Sequence, residues 1–202
     1  MIKIRKATRE DFELISYLGQ TTFKESFGDL FLPQELNEYL QATFNPLKIK
    51  ESLLKENNFY SIVYFKQQPA GYFKLKRNSG LNGKEQQMQI QLQKIYVLKD
   101  YLDLGLGNTM MKEIFSFAKS RNCPLIWLVV LQSNTRALRY YVKHGFIIIK
   151  EHAYQIGSKN LKFHIMAKNL KTEESGKPYS FSPLTSQIDE LKNRILKFNK
   201  DL

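Results

Sequence analysis

The chain has 202 residues, of which 43% are hydrophobic and 25% charged, and its formal net charge is +12. Its length and apolar content suit one soluble domain with a short appendage. A single cysteine, Cys123, excludes an intramolecular disulfide and a cysteine-rich metal site. Because there is no apolar run of membrane-spanning length and the N-terminus lacks the apolar core of a signal peptide, we expect a cytoplasmic protein without a membrane segment.

The net charge raises the question of nucleic-acid binding, which clustered lysine and arginine would support. Here the basic residues are dispersed among acidic ones, and there is neither a recognition-helix pattern nor a basic-aromatic repeat. A solvated basic surface is the simpler interpretation, and an anionic cofactor is the next explanation to consider. We therefore expect no nucleic-acid partner.

The N-terminal half predicts one strand, several helices and then two strands. The strand "MIKIRKA" precedes a weak capping box of Thr8 and Asp11, which opens a helix. Further helical segments are predicted in "LPQELNEYLQATF", with Pro33 near its start, and in "PLKIKESLLKENN". The run "FYSIVYFKQQPAGYFKLK" predicts two strands that turn at Gln67 to Pro69, and a long strand covers Gln87 to Leu98.

The C-terminal half alternates between strands and helices. A helix is predicted over Asn108 to Lys119, and "PLIWLVVL" predicts a strand covered on both faces. A second helix, capped by Ser133 or Asn134, ends at Gly145. Its predicted inward face consists of Ala137, Leu138, Tyr141 and Val142. A closing hairpin around "QIGSKN" completes an α/β fold: a mixed, mostly antiparallel central sheet with helices on both faces.

The stretch "LDLGLGNT" joins the long strand to a helix that we expect to begin at Asn108 or Thr109. Gly105 and Gly107 let the main chain turn tightly and approach a ligand, while the first N–H groups of the helix point into the turn. Such a turn suits a phosphate. A tight turn without a ligand is the alternative, because Met110 replaces the third glycine of the dinucleotide-binding fingerprint.

Two motifs in this order resemble the acetyl-CoA core of the GNAT N-acetyltransferases: the strand "IYVLKDY" with its glycine turn, and the segment "NTRALRYYVKHGF" after the strand "WLVVL". The latter matches Asn-x-x-Ala-x-x-Phe/Tyr-Tyr-x-x-x-Gly-Phe. The resemblance covers about residues 1–170 and implies one GNAT domain there. The stretches "TTFKESFG", "AGYFKLK" and "LKFHIMAKNL" are similar to PaiA-like spermidine/spermine acetyltransferases.

The resemblance implies acetyl-CoA as the cosubstrate and assigns roles to individual residues. Main-chain groups of Ile95, Tyr96, Val97 and Leu98 would hold the pantetheine arm and the thioester carbonyl. The pyrophosphate would lie on the turn formed by Leu102, Leu104, Gly105, Leu106, Gly107 and Asn108. Asn134 would contact the cofactor further along, and Lys143 or Arg139 would reach the 3′-phosphate unless they are simply solvated. Tyr141 would be the general acid, with a buried structural tyrosine as the alternative.

Two positions depart from the family pattern. Leu102 stands where the turn usually begins with Gln or Arg, so one side-chain contact to the phosphates is missing. The long strand has Gln89, Gln91 and Gln93 where a glutamate often relays the proton of the amine, and glutamine is not a useful base. The base would then be water, a backbone carbonyl, or a carboxylate such as Glu25 or Asp29, which are otherwise surface acids.

After Leu170, residues 171–183 are predicted to form a linker and residues 184–202 an amphipathic helix with an apolar stripe. Such a short helix would dock on its own domain, dock on a second subunit as in a homodimer, or remain frayed. The three histidines show no ligand spacing, so no metal site is predicted.

The sequence therefore predicts an N-acetyltransferase that moves acetyl directly from acetyl-CoA to the primary amine of a small molecule, with polyamines among the candidates. No metal and no covalent enzyme intermediate are expected. Two alternatives stay open: acetylation of a peptide or protein amine, and a catalytically degenerate acyl-CoA-binding regulatory protein.

Overall fold

The computed structural model describes residues 1–81, 89–156 and 158–170. Its strands are β1 (Ile2–Lys6), β2 (Asn58–Phe65), β3 (Gln68–Arg77), β4 (Gln89–Val97), β5 (Leu125–Leu131), β6 (Ile147–Ile156) and β7 (Lys159–Asn169). Its α-helices are α1 (Phe12–Phe27), α2 (Pro33–Phe44), α3 (Pro46–Leu54), α4 (Leu106–Ser120) and α5 (Thr135–Lys143). The predicted linker and C-terminal helix lie outside the described residues.

The seven strands form one sheet in the order β1-β2-β3-β4-β5-β7-β6. Strand β4 pairs with β5 in parallel, whereas the pairs β1–β2, β2–β3, β5–β7 and β6–β7 are antiparallel. This mixed, mostly antiparallel sheet with its flanking helices confirms the predicted α/β fold class. No helix in the described ranges is long and apolar enough to cross a membrane.

The turn between β2 and β3 differs from the prediction by one residue. Its two central residues are Lys66 and Gln67, both with positive φ, at 46° and 69°. Positive φ at both positions is typical of the two-residue hairpin turn that matches the twist of the strands. Pro69 lies in β3 instead, because its ring fixes φ near −65° and excludes it from such a turn.

The chain divides into two compact units. The first unit comprises residues 1–76 and 92–114, and the second comprises the described residues among 77–91 and from 115 onward. Strands β1 and β2, strand β3 up to residue 76, helices α1 to α3 and the last six residues of β4 belong to the first unit. Strands β5 to β7 and helix α5 belong to the second.

The first unit has a core rich in aromatic side chains. One buried cluster joins α1 and α3 to the sheet and contains Ile15, Leu18, Ile49, Ile62 and Tyr72. A second cluster contains Phe23, Leu40 and Phe44, with Tyr39 and Tyr96 packed against it. The helices are amphipathic as predicted, and each buries its apolar face against β2, β3 and β4 or against a neighbouring helix.

A bidentate ion pair fixes the start of α1 to strand β1. The guanidinium of Arg5 donates to both carboxylate oxygens of Asp11, at 2.7 and 2.6 Å, and also to the Tyr64 hydroxyl. The hydrogen bond to Arg5 lowers the pKa of Asp11 to about 2. The amide of Thr8 donates to the same carboxylate at 2.7 Å, which confirms the predicted capping box.

Strands β3 and β4 approach each other closely at Gly71. A Cβ atom at this position would lie well inside van der Waals contact with the carbonyl oxygen of Tyr96 and at 3.0 Å from the Cα of Val97. Because both obstacles are main-chain atoms, they cannot move aside as a flexible side chain would. Glycine is therefore required here by the spacing of the two strands.

The second unit has its own buried cluster, formed by Leu125, Trp127, Ile165 and Ala167. The indole N–H of Trp127 donates to the carbonyl of Ser79 at 2.6 Å, which fixes the chain after β3. The prediction of a strand covered on both faces is confirmed, since six of the seven residues of β5, Trp127 among them, are buried.

We predict that Gly71→Ala lowers the free energy of unfolding by about 2 kcal/mol or more, since overpacking against main chain cannot relax easily. The matched control is Gly28→Ala, where the added methyl would have no neighbour nearer than 3.7 Å and φ is −52°. Urea unfolding of both variants checks this. Equal stability of the two variants would contradict the close approach of β3 and β4.

Candidate active site

The turn after β4 brings the chain from the sheet into α4. A short 3₁₀ helix, Lys99–Tyr101, follows the strand, and Asp103 and Gly105 then take positive φ angles of 62° and 81°. The prediction that α4 begins at Asn108 or Thr109 is wrong by two to three residues, because the chain completes its turn at Gly105 and is helical from Leu106. Gly107 therefore lies in the first helical turn, and Gly105 is the glycine that needs its conformational freedom.

This turn has the properties of a phosphate site. Gly105 is exposed, and a side chain placed on it would meet nothing within 4 Å, while Leu106 is buried and anchors the start of the helix. The amide of Thr109 donates to the carbonyl of Gly105 at 3.2 Å. The helix begins at Leu106, so the positive end of its dipole faces the open side of the turn. The turn thus fits a pyrophosphate.

Leu102 provides neither a polar side chain nor a free amide for binding an anion. Its side chain is apolar, as the sequence showed, and its amide already donates to the carbonyl of Lys99 at 3.2 Å. Among the other residues predicted to hold the pyrophosphate, Leu104, Gly105 and Asn108 are exposed, Gly107 is half-buried and Leu106 is buried.

The end of β4 presents alternate main-chain groups to its two edges. The amide of Leu98 donates to the carbonyl of Ala70 at 2.9 Å, so Leu98 faces β3. Because successive residues of a strand direct their N–H and C=O groups to opposite edges, Val97 and Ile95 direct theirs away from β3. The ladder of β4 with β5 covers only Gln89 to Gln91. Of the four residues predicted to contact the pantetheine arm, Ile95 and Val97 are the two oriented for main-chain hydrogen bonds.

Helix α5 confirms the local geometry expected of its motif. The side-chain oxygen of Asn134 accepts the amide of Ala137 at 3.0 Å, so Asn134 is the N-cap, and its side-chain nitrogen remains as a donor for a cofactor. Lys143, the last residue of the helix, is exposed. Val142 is also exposed, which corrects its predicted inward position: a rotation of about 100° per residue carries it off the face that buries Tyr141.

Gly145 ends α5 with a φ of 80°, as predicted for a helix C-terminus. The ammonium of Lys168, from β7, lies 2.5 Å from the point where a Cβ of residue 145 would be. The same ammonium is 5.3 Å from the ring centroid of Phe115. The space above this glycine is therefore filled by a cation.

Tyr141 is the predicted general acid, and its side chain is only 8% exposed. Its ring packs edge-on against Phe146 and Tyr140, with centroids 5.8 and 5.4 Å away. Burial raises the pKa of its phenol above the ordinary value. No group in the described part of the chain hydrogen-bonds to its hydroxyl, and the hydroxyl oxygen is not fully buried, so it is open to a partner from outside the chain.

The residues considered as bases have structural partners. The side-chain oxygen of Gln89 accepts the amide of Leu81 at 3.0 Å, and that of Gln91 accepts the Ser79 hydroxyl at 3.2 Å. The glutamines thus fix the chain that follows β3. Glu25 accepts the amide of Lys99 at 2.9 Å, and so connects α1 to the 3₁₀ helix after β4.

Neither cysteine nor metal chemistry is indicated. Cys123 is buried, and burial raises the pKa of its thiol, so it is a poor nucleophile. Within the described ranges, no group of three or more histidine, cysteine or acidic side chains could hold a metal ion.

Two lysines were missed by the sequence analysis. The ammonium of Lys94 lies 4.8 Å from the ring centroid of Phe44 and 5.6 Å from that of Tyr96. The ammonium of Lys74 lies 5.1 Å from the ring centroid of Tyr60. The available signal was their position in "YFKLK" and "QKIYV". Lys74 follows Tyr72 by two residues and Lys94 precedes Tyr96 by two, and residues two apart on a strand share a face.

The predicted site residues fall into two groups. The main chain of Ile95 to Leu98 and the turn up to Asn108 belong to the first unit, together with Lys74 and Lys94. Asn134, Tyr141 and Lys143 belong to the second unit, all on or next to α5.

The model of the acetyltransferase (GNAT) family matches residues 22–146. An uncharacterised N-acetyltransferase of the pepI 3′ region of Lactobacillus delbrueckii subsp. lactis is 24% identical over 173 residues, covering 84% of this chain and 98% of the relative. The fold is similar to that of the PaiA N-acetyltransferase from Thermoplasma acidophilum in complex with coenzyme A, with a TM-score of 0.68 at 18% identity, covering 84% and 99% of the two chains. It is also similar to that of the ribosomal-protein-S18-alanine N-acetyltransferase from Escherichia coli, with a TM-score of 0.62 at 16% identity, covering 89% and 100%.

The matched segment includes both motifs that carried the resemblance, the glycine turn after β4 and the helix of Tyr141, and it spans well over half of the chain. The chain therefore belongs to the acetyltransferase (GNAT) family and is an enzyme of the N-acetyltransferase type, with acetyl-CoA as the cosubstrate of that family.

Proposed function

We propose that this enzyme transfers acetyl directly to the primary amine of a small molecule, with Tyr141 as the proton donor. The observation that carries the proposal is the buried phenol of Tyr141, whose hydroxyl has no hydrogen-bond partner in the described part of the chain. It lies on a helix whose N-cap and C-terminal glycine both have the geometry expected of the family motif. A polar group held in this way is suited to a ligand atom.

The cosubstrate supplies the acetyl group as a reactive thioester. The chain's own contribution begins with main-chain groups: the N–H groups of the turn from Leu104 to Asn108 would bind the pyrophosphate. The outward-facing groups of Ile95 and Val97 would bind the pantetheine arm as an added strand binds a sheet edge. Fixed donors of this kind also stabilise negative charge that develops on the thioester oxygen.

The raised pKa of Tyr141 decides how it would act. The phenol stays protonated throughout the working pH range, so a proton is always available. A thiol ordinarily has a pKa of about 8.5, well below that of the phenol, so full transfer before bond cleavage is unfavourable. Tyr141 would therefore donate its proton as the carbon–sulfur bond breaks, when the negative charge on sulfur is developing.

The base for the incoming amine is solvent in this proposal. Gln89 and Gln91 are occupied by Leu81 and Ser79, and they could not accept a proton in any case. Glu25 is engaged by the amide of Lys99, which gives it a structural role. An amine that has lost its proton to water would then be the species that reacts.

Two acceptor classes follow from the comparisons and stay separate. The similarity to a PaiA N-acetyltransferase, together with the motifs quoted above, favours a small amine, with polyamines as one candidate. The similarity to a ribosomal-protein-S18-alanine N-acetyltransferase keeps a peptide amine as the other candidate.

A thiol-release assay with acetyl-CoA against polyamines, amino acids and peptides tests the proposal directly. Tight binding of acetyl-CoA without turnover of any amine would instead support a degenerate binding protein.

We expect Tyr141→Phe to keep affinity for CoA and to lower kcat by about 100-fold, the usual effect of removing one acid-base group. The matched control is Tyr154→Phe, because the Tyr154 hydroxyl likewise lacks a hydrogen-bond partner in the described part of the chain but has no place in the proposed chemistry. Steady-state kinetics with calorimetry of CoA binding separates the two effects. A kcat for Tyr141→Phe within a factor of two of wild type would rule out its role as the acid.

Substitution of Gly107 by valine should weaken CoA binding at least about tenfold, since a branched side chain in the first turn of α4 obstructs approach of the pyrophosphate. Lys112→Val introduces valine at an exposed position further along the same helix and controls for helix propensity. Calorimetry on both folded variants gives the comparison. Unchanged affinity in Gly107→Val would remove the turn from the cofactor site.

With pentylamine as acceptor, kcat/KM should rise about tenfold per pH unit from pH 7 to 9, because only the neutral amine reacts and its pKa is near that of a free lysine, about 10.4. Initial rates in a constant-ionic-strength buffer series test this. A plateau that begins near pH 7 to 8 would instead reveal a base within the protein.

A further inference from the structure

Lys74 and Lys94 form a pair of cations on one face of adjacent strands in the first unit. Their ammonium groups lie over the rings of Tyr60, Phe44 and Tyr96 at centroid distances of 5.1, 4.8 and 5.6 Å. Among the described residues, no carboxylate is within ion-pair distance of either ammonium and neither ammonium donates a hydrogen bond. Aromatic faces stabilise a cation, but they accept no strong hydrogen bond from it.

The electrostatic surroundings of the pair are positive. Burial lowers the pKa of Lys94 to about 8. Burial, and then repulsion by Lys94, Lys76 and Lys55, lowers the pKa of Lys74 to about 7. The phenols of Tyr60 and Tyr72, which pack next to the pair, remain neutral at these pH values because burial raises the pKa of both. A second ammonium, such as that of a polyamine, would be repelled here.

The pair is also close to the main chain expected to hold the thioester. Lys94 precedes Tyr96 by two residues in β4, a distance of about 7 Å along a strand. Ile95, which lies between them, is one of the two residues whose main-chain groups face away from β3. A group bound to Lys94 would therefore be a few ångströms from the segment proposed to hold the cosubstrate.

We propose that Lys74 and Lys94 bind a carboxylate of the acceptor, so that the substrate is an amino acid or a similar small amine carrying an acidic group. This inference rests on the proposed acetyl transfer and narrows its acceptor. A carboxylate has enough lone pairs to accept hydrogen bonds from both ammonium groups at once, and these charge-assisted bonds would replace the water that burial removes. Both lysines are half-buried, and a charge that is partly removed from water without a partner is costly, so a site of this composition is suited to an anion.

The test compares acceptors that differ only at the end remote from the amine: 4-aminobutanoate, 1,4-diaminobutane and pentylamine, with the 5- and 6-carbon amino acids and their alkylamine counterparts. With the full-length wild-type protein, kcat/KM for the amino acid of best-fitting length should be at least about tenfold higher than kcat/KM for its alkylamine counterpart, which is the effect of one hydrogen bond to a charged group. Among 4-aminobutanoate, 1,4-diaminobutane and pentylamine, the diamine should have the lowest kcat/KM. A preference for the diamine would overturn the proposal.

Lys94→Met and Lys74→Met keep the length of each side chain and remove its charge. Each should abolish the preference for the carboxylate while leaving the rate with the alkylamine within about twofold. Lys3→Met, which removes an exposed charge from the same unit, is the control and should keep the preference. Loss of activity toward all acceptors equally in Lys94→Met would overturn the anion site and point to Lys94 as a base.

The pH dependence gives a second readout. The ratio of kcat/KM for the carboxylate to that for the alkylamine should fall as the pH rises from 7 to 9, since the lysines lose their protons in this interval while the two acceptor amines titrate alike. A ratio that is constant over this range would contradict the role of the lysines.

A binding experiment separates this inference from the proposed function. Pentanoate, which cannot be acetylated, is added to protein labelled at the lysine side chains, and NMR follows the titration of Lys74 and Lys94. We expect both pKa values to rise and the change to disappear in Lys94→Met. If no amine is acetylated but pentanoate binds in this way, the anion site stands and the enzyme proposal fails. If amines are acetylated but pentanoate leaves both lysines unchanged, only the anion site fails.

Discussion

The close approach of β3 to β4 at Gly71 is the constraint on which the candidate site depends. It places the carbonyl of Tyr96 against β3, and the neighbouring bond from Leu98 to Ala70 continues that alignment. The alternation of a strand then directs the main-chain groups of Ile95 and Val97 to the other edge. The same register sets the side chains of Lys94 and Tyr96 on one face. One strand can thus offer main-chain hydrogen bonds to one substrate and side-chain charge to another.

In the first unit, the positive charge of this protein bears on where anions could bind. Most of its basic residues are dispersed and solvated, and they give the surface a general positive potential. Two places concentrate that potential: the N-terminal end of α4 beside the exposed Gly105, and the paired ammonium groups of Lys74 and Lys94. The first suits the phosphates of a nucleotide cofactor, and the second suits a smaller anion. Both substrates would then be attracted by the same sign of charge.

Sequence reasoning succeeded where a residue's role is determined by its immediate neighbours along the chain. The cap at Asn134, the left-handed Gly145 and the buried Trp127 each follow from local pattern, and all three are confirmed. It was less accurate at the turn before α4, since the sequence does not show that Gly105, and not Gly107, takes a positive φ and that the helix begins at Leu106.

The lysine pair could not be predicted because its significance depends on the partners of β3 and β4. An alternating lysine in a strand is normally solvated, and only the pairing of the strands and the packing of α2 bring Lys94 beneath Phe44. The hydrogen-bond partners of Gln89 and Gln91 could not be predicted for the same reason. Gln89 and Gln91 were read as substitutes for a catalytic glutamate, whereas their side chains hold Leu81 and Ser79.

The backbone at Gly145 limits how this protein could be re-engineered. Its φ of 80° is one that other residues adopt only with strain, so any residue that replaces Gly145 destabilises the end of α5. The Lys168 ammonium near Phe115 is the lesser obstacle, because the end of a lysine side chain can move aside. A library that varies α5 to alter specificity would therefore recover more functional clones if position 145 stayed glycine, whereas Lys168 could remain unchanged.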